Sequence, residues 1–95
     1  MIWEKNYRME LKEIQDKLKE MIVQRLNLPM KPSDIITEDA LFGENSKPGL
    51  DSIDALELVV GMEETFGITI EDGEIVKEQF FSVKTLSEFV SKKLG

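Results

Sequence analysis

Apolar residues fall at helical spacing in the first third of the chain. Leu11, Ile14, Leu18, Met21, Ile22 and Leu26 recur every three or four positions, while Lys12, Glu13, Asp16, Lys17 and Lys19 fill the opposite side. That pattern predicts an amphipathic helix from Met9 to Leu26 with one stripe turned to a core. Asn27, Pro29 and Pro32 end it, since proline offers no N–H to a helix and restricts the residue before it. From Lys31 to Leu50 the periodicity is lost. Pro32, Ser33, Pro48 and Gly49 punctuate this stretch, and Asn45, Ser46 and Lys47 form a polar cluster, so a loop is expected, anchored by Ile35, Ile36, Leu41 and Phe42. A connection this long in a small domain signals function or mobility.

Helical spacing resumes from Ser52 to Phe66, with Asp51 suited to the N-cap and Gly67 to the C-terminal stop. Ile68-Thr69-Ile70 reads as a short extended stretch. A brief helix is predicted from Asp72 to Lys77, and a last one from Val83 to Leu94 with Val83, Leu86, Phe89, Val90 and Leu94 on one side. On a wheel of about 100° per residue, Ala55, Leu58, Val59, Met62 and Phe66 share an arc of the second helix that suits a core. Asp54, Glu57 and Glu64 cluster away from it. Ile53 and Val60 lie beside this acidic stripe rather than in the core arc. Apolar anchors rimmed by carboxylates suit a small protein-docking surface, although single exposed aliphatics are also ordinary on any surface.

Composition narrows the picture further. With 95 residues, 41% hydrophobic and 33% charged, the chain supports one domain, 9–95, behind a basic extension, 1–8, that is expected to fray. One Trp, one Tyr and few β-branched runs favour a helical bundle over a sandwich. There is no cysteine, which excludes disulfides, thiolate zinc sites and thiol nucleophiles. Histidine, the commonest general base, is also missing. The run Glu71-Asp72-Gly73-Glu74 lacks the repeated ligands of a calcium loop. No stretch approaches the roughly 20 apolar residues that span a bilayer, and Met1 to Tyr7 have no signal-peptide core, so a soluble cytoplasmic protein is expected. The net charge of −7 is unevenly placed: residues 33–82 alone hold two basic and thirteen acidic side chains. Such a field repels nucleic acid and attracts basic protein surfaces.

The block Gly49-Leu50-Asp51-Ser52-Ile53-Asp54-Ala55-Leu56-Glu57-Leu58 resembles the phosphopantetheine attachment motif of acyl carrier proteins, which centres on Asp-Ser-Leu or Asp-Ser-Ile with a glycine two positions ahead. The resemblance continues through Glu63-Glu64-Thr65-Phe66 to Ile70 and Asp72, and covers nearly the whole chain from Met9. It implies an all-α fold, a small four-helix bundle with a long first connection and a short third helix. It also implies that Ser52 carries a covalent 4'-phosphopantetheine arm delivered from coenzyme A by a phosphopantetheinyl transferase, and that the protein performs no catalysis itself. Ser52 opens a helix, where unpaired N–H groups and the macrodipole tolerate a phosphate.

By the same resemblance, acyl-transferring, condensing and modifying enzymes dock on the second helix. Asp51, Asp54, Glu57 and Glu64 would meet their basic patches, and Ile53 and Val60 their apolar ones. An attached chain would slip between the second and third helices, where Leu56, Val59, Met62 and Ile75 are candidates for the cleft or simply for the core. The chain is expected to be a monomer. Aminoacyl or peptidyl carriers and an unmodified interaction module remain alternatives, although Asp51 favours an acyl carrier. Departures from the family pattern include Glu71 where proline is frequent, Gly61 in mid-helix, the Phe80-Phe81 pair, slightly longer connecting segments, and the extension bearing Trp3, Lys5, Tyr7 and Arg8. They leave open whether the cargo belongs to fatty-acid synthesis or to another acyl pathway.

Overall fold

The computed structural model describes residues 9–95; the basic extension, 1–8, lies outside them. Three α-helices form the frame: α1 (Leu11–Arg25), α2 (Ser52–Phe66) and α3 (Val83–Leu94). Two single 3-10 turns, Pro32–Asp34 and Asp72–Glu74, complete the regular structure, and no strand occurs among the described residues. The architecture is therefore all-helical with three α-helices rather than four.

The predicted short third helix, Asp72 to Lys77, is reduced to one turn. The Glu74 carboxylate accepts from the Glu71 backbone N–H at 2.8 Å, the bond that starts a helix, but no second turn follows. Ile75 then leaves helical space, with φ −88° and ψ 81°, and Val76 starts a new turn by accepting from the N–H groups of Gln79 and Phe80. Glycine at position 73 and β-branched Ile75 and Val76 add little helical preference to resist this.

Helix α1 is the spine, packing against both α2 and α3. Its Ile14, Leu18 and Ile22 are fully buried, each worth about 1.5–3 kcal/mol on removal from water. They meet Leu58 and Met62 of α2 and Val83, Leu86, Phe89 and Val90 of α3 in one core. Beyond Arg25 the chain turns at Asn27, whose φ of 52° is left-handed. Asparagine tolerates this conformation and proline follows two residues later. Helix α3 opens on Ser82, whose Oγ accepts from the Thr85 N–H at 3.2 Å while Thr85 Oγ1 accepts from the Ser82 N–H at 3.0 Å.

Gly61 explains how α1 and α2 approach. A Cβ at this position would stand 2.5 Å from Met21 Sδ and 2.9 Å from Arg25 Cδ. The absent side chain is thus the contact: α1 lies over the bare backbone of α2. Among the described residues no helix is long and apolar enough to cross a membrane.

Candidate cofactor attachment site

The loop ahead of α2 is held by a set of side-chain and backbone hydrogen bonds. Ser46 organises it: its hydroxyl accepts from the Gly49 N–H at 2.9 Å and lies 2.9 Å from the carbonyl oxygens of Leu41 and Gly43, to which it donates. Leu50 donates to the Leu41 carbonyl and accepts from the Gly43 N–H, so Phe42 and Leu50 are bridged across the loop. Gly49 sits at φ +62°, a conformation that disfavours side chains. The loop is in turn stitched to the segment before α3 and to its first turn, since Leu41 donates to the Phe81 carbonyl and Lys84 to that of Thr37. A stretch that sequence pattern reads as loop is therefore a held platform.

From this platform the chain enters α2 through Asp51. Its Oδ1 accepts from the N–H groups of Ile53 at 3.0 Å and Asp54 at 3.1 Å, and Asp54 Oδ2 accepts in return from the Asp51 N–H at 2.9 Å. Ser52, the first helical residue, is exposed. Asp51 thus takes two of the N–H groups at this helix end, as expected of an N-cap, and Ser52 beside it stays open to solvent.

An apolar groove of about 670 Å³ opens beside Ser52. Its lining comes from Ala55 and Leu56 of α2, from Ile75, Val76, Lys77 and Phe80, and from Phe42 and Leu50 of the loop. Phe81 stands at the rim, 52% exposed. Of the four residues expected at a cleft, Leu56 and Ile75 line this groove; Val59 packs partly buried against the core and Met62 is fully buried within it. The lining from Phe42, Val76 and Phe80 escaped the helical wheel, because these residues lie in irregular segments that periodicity cannot place. The Phe80-Phe81 doublet was the available signal: Phe80 is buried and its neighbour is not.

Ile53, 75% exposed, and Val60, 42% exposed, do face solvent. The acidic residues are less free than the wheel suggests. Arg25, at the end of α1, reaches Glu57 Oε2 through Nε at 3.0 Å and Glu64 Oε1 through Nη1 at 2.8 Å. These contacts, Glu64 first and Glu57 second, hold the arginine above its ordinary pKa. Glu63 Oε2 accepts from the Ile70 N–H at 2.9 Å and fixes the segment after α2. Across the fold, Lys93 holds Glu74 at 2.8 Å and lies 5.6 Å from the centre of the Phe89 ring. The lysine, and then the Glu71 N–H, keep the Glu74 carboxyl below the usual carboxylate range.

Residues 16–91 match the family model for the phosphopantetheine attachment site. The chain belongs to the acyl carrier protein family. It is 37% identical over 78 residues to the acyl carrier protein of Rickettsia canadensis, covering 82% of this chain and 79% of that one. To the acyl carrier protein of Akkermansia muciniphila it is 38% identical over 82 residues, 86% of this chain and 94% of that one. Its fold is similar to that in a crystal structure of a carrier protein from Agrobacterium tumefaciens bound to an engineered glycine–carrier-protein ligase from Bradyrhizobium japonicum and ATP. The TM-score is 0.69 at 25% identity, with 83% of this carrier and 97% of that chain covered. The cofactor of this family's attachment domain is 4'-phosphopantetheine.

Proposed function

We propose that Ser52 is the attachment residue and that this chain shuttles acyl groups between enzymes without catalysing a reaction. The observation that carries this reading is the exposed Ser52 hydroxyl on a fixed helix start at the mouth of an apolar groove. In the attachment step the serine oxygen bonds to the β-phosphorus of coenzyme A as 3',5'-adenosine diphosphate leaves, and the hydroxyl proton passes to the transferase. The arm supplies the thiol that the chain lacks, and cargo rides on it as a thioester. Leu56, Ile75, Val76 and Phe80 offer an acyl chain cover from water without a buried polar group to repel it.

The cargo is an intermediate of fatty-acid, polyketide or related lipid synthesis, and the carrier works as a cytoplasmic monomer. Its partners are the transferase and the enzymes that load, extend and modify the acyl group. They dock on α2 through Asp51, Ile53, Asp54, Glu57, Val60 and Glu64. Exposed ion pairs are worth about 0–1 kcal/mol each and are screened by salt. Docking is therefore brief and salt-sensitive, as a shuttle requires. The likeness to a carrier crystallised with a glycine ligase supports a second reading, an aminoacyl carrier.

Intact-mass spectrometry after incubation with coenzyme A and a broad-range phosphopantetheinyl transferase tests the attachment. The wild type should gain one arm and Ser52→Ala none. An unchanged wild-type mass beside a modified control carrier would instead identify an unmodified interaction module. Loading the holo form with acyl ligases and amino-acid ligases in parallel then separates the two cargo classes.

A further inference from the structure

Every carboxylate from Asp51 to Glu64 already has a partner inside the chain. Asp51 and Asp54 serve the helix start, Glu63 holds Ile70, and Glu57 and Glu64 share Arg25. Among the described residues, only the last arrangement brings in an opposite charge. Glu57 and Glu64 are seven residues apart, about 10 Å along the helix axis, and one guanidinium reaches both because Gly61 lies between them. The arginine stem passes over that glycine, where a Cβ would be 2.9 Å from its Cδ. Gly61, Glu57 and Glu64 thus form a seat for Arg25, and the seat occupies the surface to which basic partners are drawn.

We propose that Arg25 is a specificity-determining residue that competes with partner proteins for Glu57 and Glu64. This rests on the reading of α2 as the docking helix. A basic partner approaching the acidic middle of the chain must displace the guanidinium from its seat or share the carboxylates with it. Arg25 therefore weakens the grip of any partner whose recognition depends on these two positions. It shifts preference toward partners that grip the apolar end of α2, where Ile53 and Leu56, 62% exposed, carry no such competitor.

The transferase reaction gives a direct test, with coenzyme A saturating and the apo carrier varied. Arg25→Gln should lower the KM for the carrier by about twofold to thirtyfold at low salt, the range two exposed ion pairs provide, with kcat little changed. Its KM should also rise more steeply with added salt. Arg25→Lys retains the charge but not the fork, and should fall between the two. It also keeps the test open if the glutamine variant folds poorly. Lys12→Gln removes the same charge from the distant end of α1, where Lys12 pairs with Asp16, and measures the effect of net charge alone. A KM for Arg25→Gln equal to that of Lys12→Gln, or above the wild-type value, overturns the proposal while leaving Ser52 attachment intact. Absence of transfer to the wild type would instead overturn the docking reading and this inference together.

Discussion

Gly61→Ala tests the helix contact most directly, because two effects of known size oppose each other there. In a solvent-facing helix interior, exchanging glycine for alanine stabilises by about 1 kcal/mol, through the lower chain entropy of alanine when unfolded. Here the new Cβ would stand 2.5 Å from Met21 Sδ, 2.9 Å from Arg25 Cδ and 3.3 Å from Met21 Cγ. Overpacking of a close contact costs about 1–3 kcal/mol. Met21 is flexible enough to yield part of this, but Arg25 is held at both ends of its fork by Glu57 and Glu64. The balance falls on the destabilising side by about 1 kcal/mol, a loss of about 4–8 °C in Tm for a domain of this size. Urea titration followed by circular dichroism at helical wavelengths measures it. A gain in stability near the full propensity value would refute the close approach of α1. A double-mutant cycle with Met21→Ala isolates the contact, and a coupling of at least about 0.5 kcal/mol is expected.

Two further outcomes follow from the ends of the helices. Asp51→Ala removes the carboxylate that serves Ile53 and Asp54 and should cost about 1 kcal/mol; Asp51→Asn should keep the stability, since asparagine caps equally well. Thermal melting of the three proteins checks this, and equal losses in both variants would show that charge rather than capping matters there. The Glu74–Lys93 pair ties the groove wall to α3. Because folding lowers the Glu74 pKa, its contribution is present above the unfolded carboxylate value of about 4.3 and is lost as pH falls through the lowered one. The gap in Tm between wild type and Glu74→Gln should thus be open at neutral pH and close on acidification; a gap independent of pH would count against the latch.

Apolar residues at helical spacing were enough to place the three helices, and Asn27, Asp51 and Gly67 gave plain local reasons for ends of the first two. The sequence by itself also determined the block around Ser52 and hence the family, since that motif is contiguous. Periodicity could not settle the stretch from Asp72 to Lys77, where glycine and two β-branched residues give weak helical preference and the backbone leaves helical space at Ile75. Nor could it assign the groove, whose walls come from α2, the platform loop and the Phe80 segment, distant in sequence and mostly irregular. The clearest gap lies at Gly61. A hydrophobic pattern records what side chains offer, and glycine offers none, so the wheel set Glu57 and Glu64 apart from the core. Helix packing alone sets α1 on that bare backbone. It thereby brings Arg25 to both carboxylates and turns an apparently open acidic stripe into one already engaged.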